Sequence, residues 1–362
     1  MAKEAAADAG ESSPSSSLAT PLPMGVRLQL FGLTAAIDAV ERRDGTVNRA
    51  LYSLLVDRLM SARADAVPDA AGVRSSDFTI DAARGVWARV FSPEATAAAA
   101  TPLPVMVYFH GGGFALFSPA VGPFDGVCRR LCREVNAVVV SVNYRLAPEH
   151  KFPAAYDDGV DALRFLDACN GRIPIPSLDG GDAVAVDLTS CFLVGESAGG
   201  NIVHHVANRW TATCAPTARS LRLAGIIPVQ PFFGGEERTP SETSLDGVAP
   251  VVSIWRSDFS WKAFLPVGAD RDHPAAHVTD ENAALAEEGF PPAMVVIGGN
   301  DPIKDWQWRY VDVLRRKGKK VEVVEFPGAF HGFYAFPELA DAGEVLQDMR
   351  VFVQSNRARN AE

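Results

Sequence analysis

The stretch Gly195-Glu196-Ser197-Ala198-Gly199-Gly200-Asn201 constrains the fold more than any other part of the chain. It follows the apolar run Cys191-Phe192-Leu193-Val194 and precedes Ile202-Val203-His204-His205-Val206-Ala207, which has helical spacing. A buried strand that turns at once into a helix across G-x-S-x-G needs glycine on both sides of the serine. The turn strains the serine backbone, and side chains at 195 and 199 would collide with the neighbouring strand and helix. The hydroxyl of Ser197 is thereby pushed into the open at a helix N-terminus, as a nucleophile requires. Five common residues also arise by chance in an ordinary strand–turn–helix loop, so the rest of the chain must decide.

Strand, loop and helix alternate around this point. Apolar runs at Pro104–Phe109, Ala137–Val142, Ser190–Val194, Leu221–Val229, Ala293–Gly298 and Lys320–Phe326 read as buried strands. Helical segments are expected at about 124–135, 155–166, 198–210, 305–317 and 338–355. Alternating segments at 77–81 and 86–91 read as an antiparallel pair. The fold class is therefore α/β, a central and mostly parallel sheet flanked by helices. Residues 25–65 read as helices that precede every strand, and Ala95–Ala100 as a surface loop. About sixty residues rich in aromatics and proline separate the strands at 221–229 and 293–298. An insertion there extends over the carboxyl edge of the sheet, where such folds keep their sites.

Composition removes several function classes. Net charge is 34 − 44 = −10 with no Lys/Arg block, which disfavours nucleic acid and anionic membrane surfaces. Cys128, Cys132, Cys169, Cys191 and Cys214 are scattered and show no metal-ligand spacing, so they read as buried reduced thiols and no metal is expected. The first 22 residues are Ala-, Ser- and Pro-rich with Glu4, Asp8 and Glu11, which fits a disordered tail rather than a leader. No apolar stretch approaches the length of a membrane span. The expected compartment is the cytoplasm, with the nucleus also open to such a chain.

A serine hydroxyl needs a base within reach and a third group to orient that base. His331, in Gly328-Ala329-Phe330-His331-Gly332-Phe333 after the last strand, stands where the base belongs. His204 and His205 leave the elbow on helix flanks and read as structural. The loop Gly298–Asp305 offers two acids. Asp301 sits in the loop proper and is preferred, while Asp305 looks like a helix N-cap. The loop His110-Gly111-Gly112-Gly113 can turn bare backbone N–H groups toward a developing oxyanion, with Ala198 N–H as a further donor. Gly111, Gly112, Gly113 and Ala198 are therefore the expected oxyanion hole. Phe114, Phe117, Phe232, Phe233 and Phe333 flank these loops and are expected to line the pocket.

Taken together, His110–Phe114, Asn143–Pro148, Gly195–Asn201, Asp301-Pro302 and His331-Gly332-Phe333 resemble the hormone-sensitive-lipase-type branch of the α/β-hydrolases. Asp44–Arg49, Asn143–His150, Gln230–Arg238 and Asp270–Pro274 resemble the plant carboxylesterases of that branch. The resemblance implies an esterase without a cofactor, acting on a small-molecule ester, with Ser197, Asp301 and His331 as nucleophile, acid and base. It implies a cap built from the N-terminal helices and the insertion. On this reading 1–22 is a tail, 23–66 the cap helices, 67–230 and 291–357 the core, and 231–290 the cap insertion. Gibberellin receptors share the branch but carry an aliphatic residue at the base position, and the similar hydroxyisoflavanone dehydratases perform elimination. A hormone receptor, a dehydratase or a lactone hydrolase are the alternatives to a carboxylesterase; oligomeric state stays open.

Overall fold

The computed structural model describes residues 22–94, 102–174, 183–283, 285 and 289–357. The expected tail at 1–22 falls almost wholly outside these residues, as does the Ala95–Ala100 loop.

Helix α1 spans Met24–Val40, and α2, Arg49–Tyr52, continues as a wider turn to Asp57. Then come β1 Val73–Asp81, β2 Val86–Pro93, β3 Leu103–Phe109, α3 Gly122–Leu131, β4 Val138–Asn143 and α4 Ala154–Ala168. They are followed by β5 Arg172–Pro174, β6 Ala183–Glu196, α5 Ala198–Arg209, β7 Leu223–Val229, α6 Pro240–Leu245 and α7 Ile254–Phe264. The chain closes with β8 Ala293–Gly298, α8 Lys304–Arg316, β9 Val321–Phe326 and α9 Ala340–Asn356. The strands form one sheet in the order β1-β2-β4-β3-β6-β7-β8-β9. The β1–β2 and β2–β4 pairs are antiparallel, and from β4 to β9 the neighbours run parallel. The α/β expectation holds.

Two details were not legible in the apolar pattern. Strand β6 begins at Ala183, well before the apolar run, because its first half pairs with the short β5 outside the parallel core. The stretch from Arg58 to Asp65 is not helical; Ser61 instead bridges Val121, which ties it to the start of α3.

Both faces of the parallel strands are buried, so their runs of Val, Ile and Leu serve two cores. Helix α5 packs on one of them at unusually short range. A Cβ on Gly199 would lie 1.9 Å from the carbonyl oxygen of Phe109, at the end of β3. No side chain fits there, and the missing methyl lets the first turn of α5 rest against the strand end.

The N-terminal segment is fixed to the core by polar bolts. Arg49 donates Nη1 to Ala115 O (2.8 Å) and Nη2 to Ala147 O (2.7 Å), and Nε to Glu149 Oε1 (2.9 Å). Tyr52 Oη accepts from Phe117 N at 2.6 Å. The motifs around Asn48-Arg49 and Arg145–Glu149, a hundred residues apart, thus meet across one guanidinium. In the insertion, Asp258 receives both Arg238 and Arg271, which closes 231–271 on itself. Arg256 pairs with Asp38 (2.6 Å) and Lys262 Nζ donates to Arg43 O (3.2 Å), joining α7 to the N-terminal segment. No helix among the described residues is long and apolar enough to cross a membrane.

Replacing Gly199 by Ala should shift α5 off β3 and cost more than about 3 kcal/mol, read as a lowered denaturant midpoint. Gly343 in α9 has nothing within 4 Å of a Cβ and no left-handed φ. Gly343→Ala should be stabilising by about 0.5–1 kcal/mol in the same assay. Equal midpoints for the two variants would contradict the close-approach argument.

Candidate active site

Ser197 sits between β6 and α5 with φ 54° and ψ −120°, a left-handed conformation that costs a serine of order 1–3 kcal/mol. Its neighbours over-determine it. Ser197 N–H donates to Val229 O at the end of β7 (2.9 Å), and Ser197 O accepts from Phe232 N (2.8 Å). Asn201, the last residue of the elbow, donates Nδ2 to Phe232 O (3.1 Å) and Ala275 O (2.8 Å) and accepts from Tyr156 Oη (2.5 Å).

The glycine loop approaches from the end of β3. Gly112 and Gly113 have φ 104° and 58°, and Cβ atoms there would come within 2.5 Å of Leu116 O and 2.2 Å of Ser260 Oγ. Only glycine meets both demands. Phe114 and Phe117 share the left-handed region, at φ 63° and 76°. The ring of His110 stacks on Tyr144, and its Nδ1–H donates to Gly111 O at 2.8 Å. Among the described residues no hydrogen bond occupies the N–H of Gly112, Gly113 or Ala198. Gly111 differs: its N–H faces the carboxyl of Glu196. Three of the four expected donors thus have no competing acceptor, while the fourth, Gly111 N–H, is drawn toward Glu196 without a well-formed hydrogen bond.

Asp301 and His331 come together from loops 30 residues apart, with His331 Nδ1 at 2.7 Å from Asp301 Oδ2. Both are buried. Asp301 Oδ2 also accepts from Gln307 Nε2 (2.8 Å) and Oδ1 from Ile303 N (3.1 Å), so the carboxylate is solvated by the protein. Asp305 has a different task from the cap expected of it: its two oxygens accept from Ser241 N and Oγ, both at 2.8 Å, tying α8 to α6. The helix instead starts after Ile303.

Gln230 opens a stretch that carries the family resemblance but has no site role legible in the sequence, and it brackets the histidine. Its Oε1 accepts from Gly332 N (2.8 Å) and its Nε2 donates to Phe330 O (3.2 Å), one contact on each side of His331. The only signal was a polar residue directly after an apolar strand. His204 is buried and His205 half-buried, and neither lines the cavity: His204 meets Tyr310 Oη at 3.1 Å and His205 stacks on Tyr156.

Ser197, His331, Gly111, Gly112 and Gly113 all line one cavity of about 940 Å³. Its far walls come from α1 (Leu28, Leu33, Ile37), from Leu55 and Leu59, and from Arg256 and Ser260 of α7. Of the five phenylalanines expected on the wall, Phe117 and Phe232 are there. The other three are core residues. Phe114 stacks on Phe264 at 3.7 Å, Phe233 packs on Tyr310 and Phe333 on Phe326, each fully enclosed. Phe124, Tyr334 and Phe336 take their place on the wall.

Glu196, beside the serine, is buried, and burial pushes its carboxyl up to about 7. Tyr334, Tyr108 and Gly111 N–H oppose that rise. Yet neither Glu196 Oε1 nor the Tyr108 hydroxyl completes a well-formed hydrogen bond, so desolvation dominates.

The sequence profile of the alpha/beta hydrolase fold matches residues 106–335. The gibberellin receptor GID1A of Arabidopsis thaliana is 36% identical over 350 residues, covering 93% of this chain and 96% of that protein. Carboxylesterase 20 of the same plant is 36% identical over 310 residues, covering 82% and 89%. A hyperthermophilic esterase from the archaeon Pyrobaculum calidifontis superposes with a TM-score of 0.68 at 26% identity, over 93% of this chain and 99% of that one.

Glu196 makes stability pH-dependent. The folded chain holds its proton up to about pH 7, whereas an unfolded chain releases it near 4.5. The folded state binds the extra proton between those values, so stability falls as pH rises through that window. Glu196→Gln should remove this slope. Between about pH 5 and 8 the variant should gain on the parent by at most about 3 kcal/mol in urea unfolding. Parallel pH curves for the two proteins would rule it out.

Proposed function

The chain belongs to the α/β-hydrolase family, and from that premise we propose that it is a serine carboxylesterase working through an acyl-enzyme. The observation that carries the proposal is the buried Asp301–His331 pair opening on the cavity that also holds Ser197. Ser197 Oγ attacks the ester carbonyl while His331 Nε2 takes its proton. Asp301 accepts from Nδ1–H, fixes the tautomer and stabilises the imidazolium. The tetrahedral oxyanion is received by the N–H groups of Gly112, Gly113 and Ala198, which carry no other hydrogen bond among the described residues. His331 then protonates the leaving alcohol, and a water repeats the cycle on the acyl group. Residues 23–66 and 231–290 act as a cap that decides which ester enters.

A second reading is favoured by the likeness to gibberellin receptors over nearly the whole chain. On that reading the cavity retains a hormone rather than turning over an ester. The intact pair at 301 and 331 argues for turnover.

Ser197→Ala should lower kcat for p-nitrophenyl acetate by several orders of magnitude, leaving about 10³–10⁴-fold over the uncatalysed rate. His331→Ala should lose a similar amount and the double variant little more, because the two act as a unit. Losses that multiply would show that they work separately. Calorimetry with a gibberellin, run beside p-nitrophenyl esters of increasing chain length, separates the two readings: micromolar binding without turnover would replace the esterase by a receptor.

A further inference from the structure

Three arginines of α3 and the turn after it, Arg129, Arg130 and Arg133, reach the cavity wall. Two are neutralised. Arg129 pairs with Asp125 (2.7 Å) and Asp69 (3.0 Å), and Arg133 with Glu134. Arg130 lies between them, more than half enclosed, and has no ion pair among the described residues. Its one hydrogen bond there goes from Nη2 to Tyr334 O. A guanidinium carries five N–H donors in a planar fork, so most of its capacity is unused among the described residues at the cavity wall.

Such a cation is costly to keep unless something meets it. The nearest candidates on the wall do not. Glu196 attracts Arg130 across the wall but forms no ion pair with it, and it is charged only in part near neutrality, because burial raises it. Glu338 is exposed at the rim. Desolvation already presses on Arg130, drawing its affinity for a proton down. An anion brought in by a ligand would relieve that pressure, and a planar carboxylate matches the fork with two parallel hydrogen bonds. The rest of the wall is mainly apolar and offers one unpaired cation, which suits a monoanion on a hydrocarbon frame better than a phosphate dianion.

We infer that Arg130 is a specificity-determining residue and that the ester this site accepts carries a carboxylate remote from the scissile bond. The inference rests on the hydrolase reading for the word ester, but the anion subsite stands apart from it. An apolar cavity without such a cation would reject a carboxylate strongly, so the sign of the selectivity is informative.

The test compares mono-p-nitrophenyl esters of succinic, glutaric, adipic and suberic acids with neutral p-nitrophenyl esters of matching length. A second arm places the carboxylate on the alcohol side, 4-acetoxybenzoate against phenyl acetate. Wild-type kcat/KM should favour the carboxylated partner about tenfold or more at one length or in one arm. Arg130→Met should invert that preference, and Arg130→Lys should keep part of it. Preference for the neutral esters throughout, or a carboxylate preference that survives in Arg130→Met, overturns the inference. If Arg130→Met does not fold, the wild-type preference and the lysine variant still decide. Calorimetry with 7-oxooctanoate against 2-octanone, neither of which has a scissile bond, covers a protein that hydrolyses nothing. Tighter, Arg130-dependent binding of the carboxylated ketone would then sustain the subsite while the esterase reading fails; equal binding would sink both.

Discussion

The site depends on how closely α5 can approach the end of β3. At Gly199 the helix rests against the Phe109 carbonyl, at a distance no other residue permits. That contact sets the height of Ser197 above the sheet, and through it the distance to the glycine loop that leaves the same strand. The cost is local strain: Ser197, Phe114, Phe117 and Gln230 all hold left-handed backbones. Each is pinned by a partner outside its own segment. Val229 and Phe232 hold the serine, Tyr52 holds Phe117, Ala147 N–H holds Phe114 O, and Val296 holds Gln230. Strain of this kind persists only where surrounding structure over-determines it.

One of those pins comes from the N-terminal segment. Arg49 and Tyr52 grip the loop at Ala115 and Phe117, so the chain's first helices shape the donor loop as well as roofing the cavity. A segment that precedes every strand in sequence therefore completes the site last in space. Its removal would release a strained loop rather than only opening a lid.

The sequence was informative wherever a residue's task is set by its immediate neighbours. The elbow, the glycine loop and the meeting of Asp301 with His331 could be read because backbone geometry and chain order dictate them. Strands β7 and β8 were legible for the same reason, as buried apolar runs, and helix α5 by its helical spacing straight after the elbow. What could not be read depends on distant packing. Phe114, Phe233 and Phe333 look like pocket residues in sequence, but only the fold shows that each ring turns into a core. Asp305 looks like a cap until Ser241 arrives from 64 residues away. Gln230 begins a recognisable stretch, but nothing in that stretch assigns it a task; its meaning lies in the two backbone groups around His331.

That glutamine gives the site a shared datum. Ser197 N–H is hung on the last residue of β7, and the next residue along, Gln230, holds the backbone on both sides of His331. Ser197 and His331, the proposed nucleophile and base, are therefore both referenced to the tip of one strand. When the sheet twists or breathes, the common reference moves and both groups move with it. A displacement of that strand tip then alters the separation of Ser197 and His331 less than it would if each hung from a different strand.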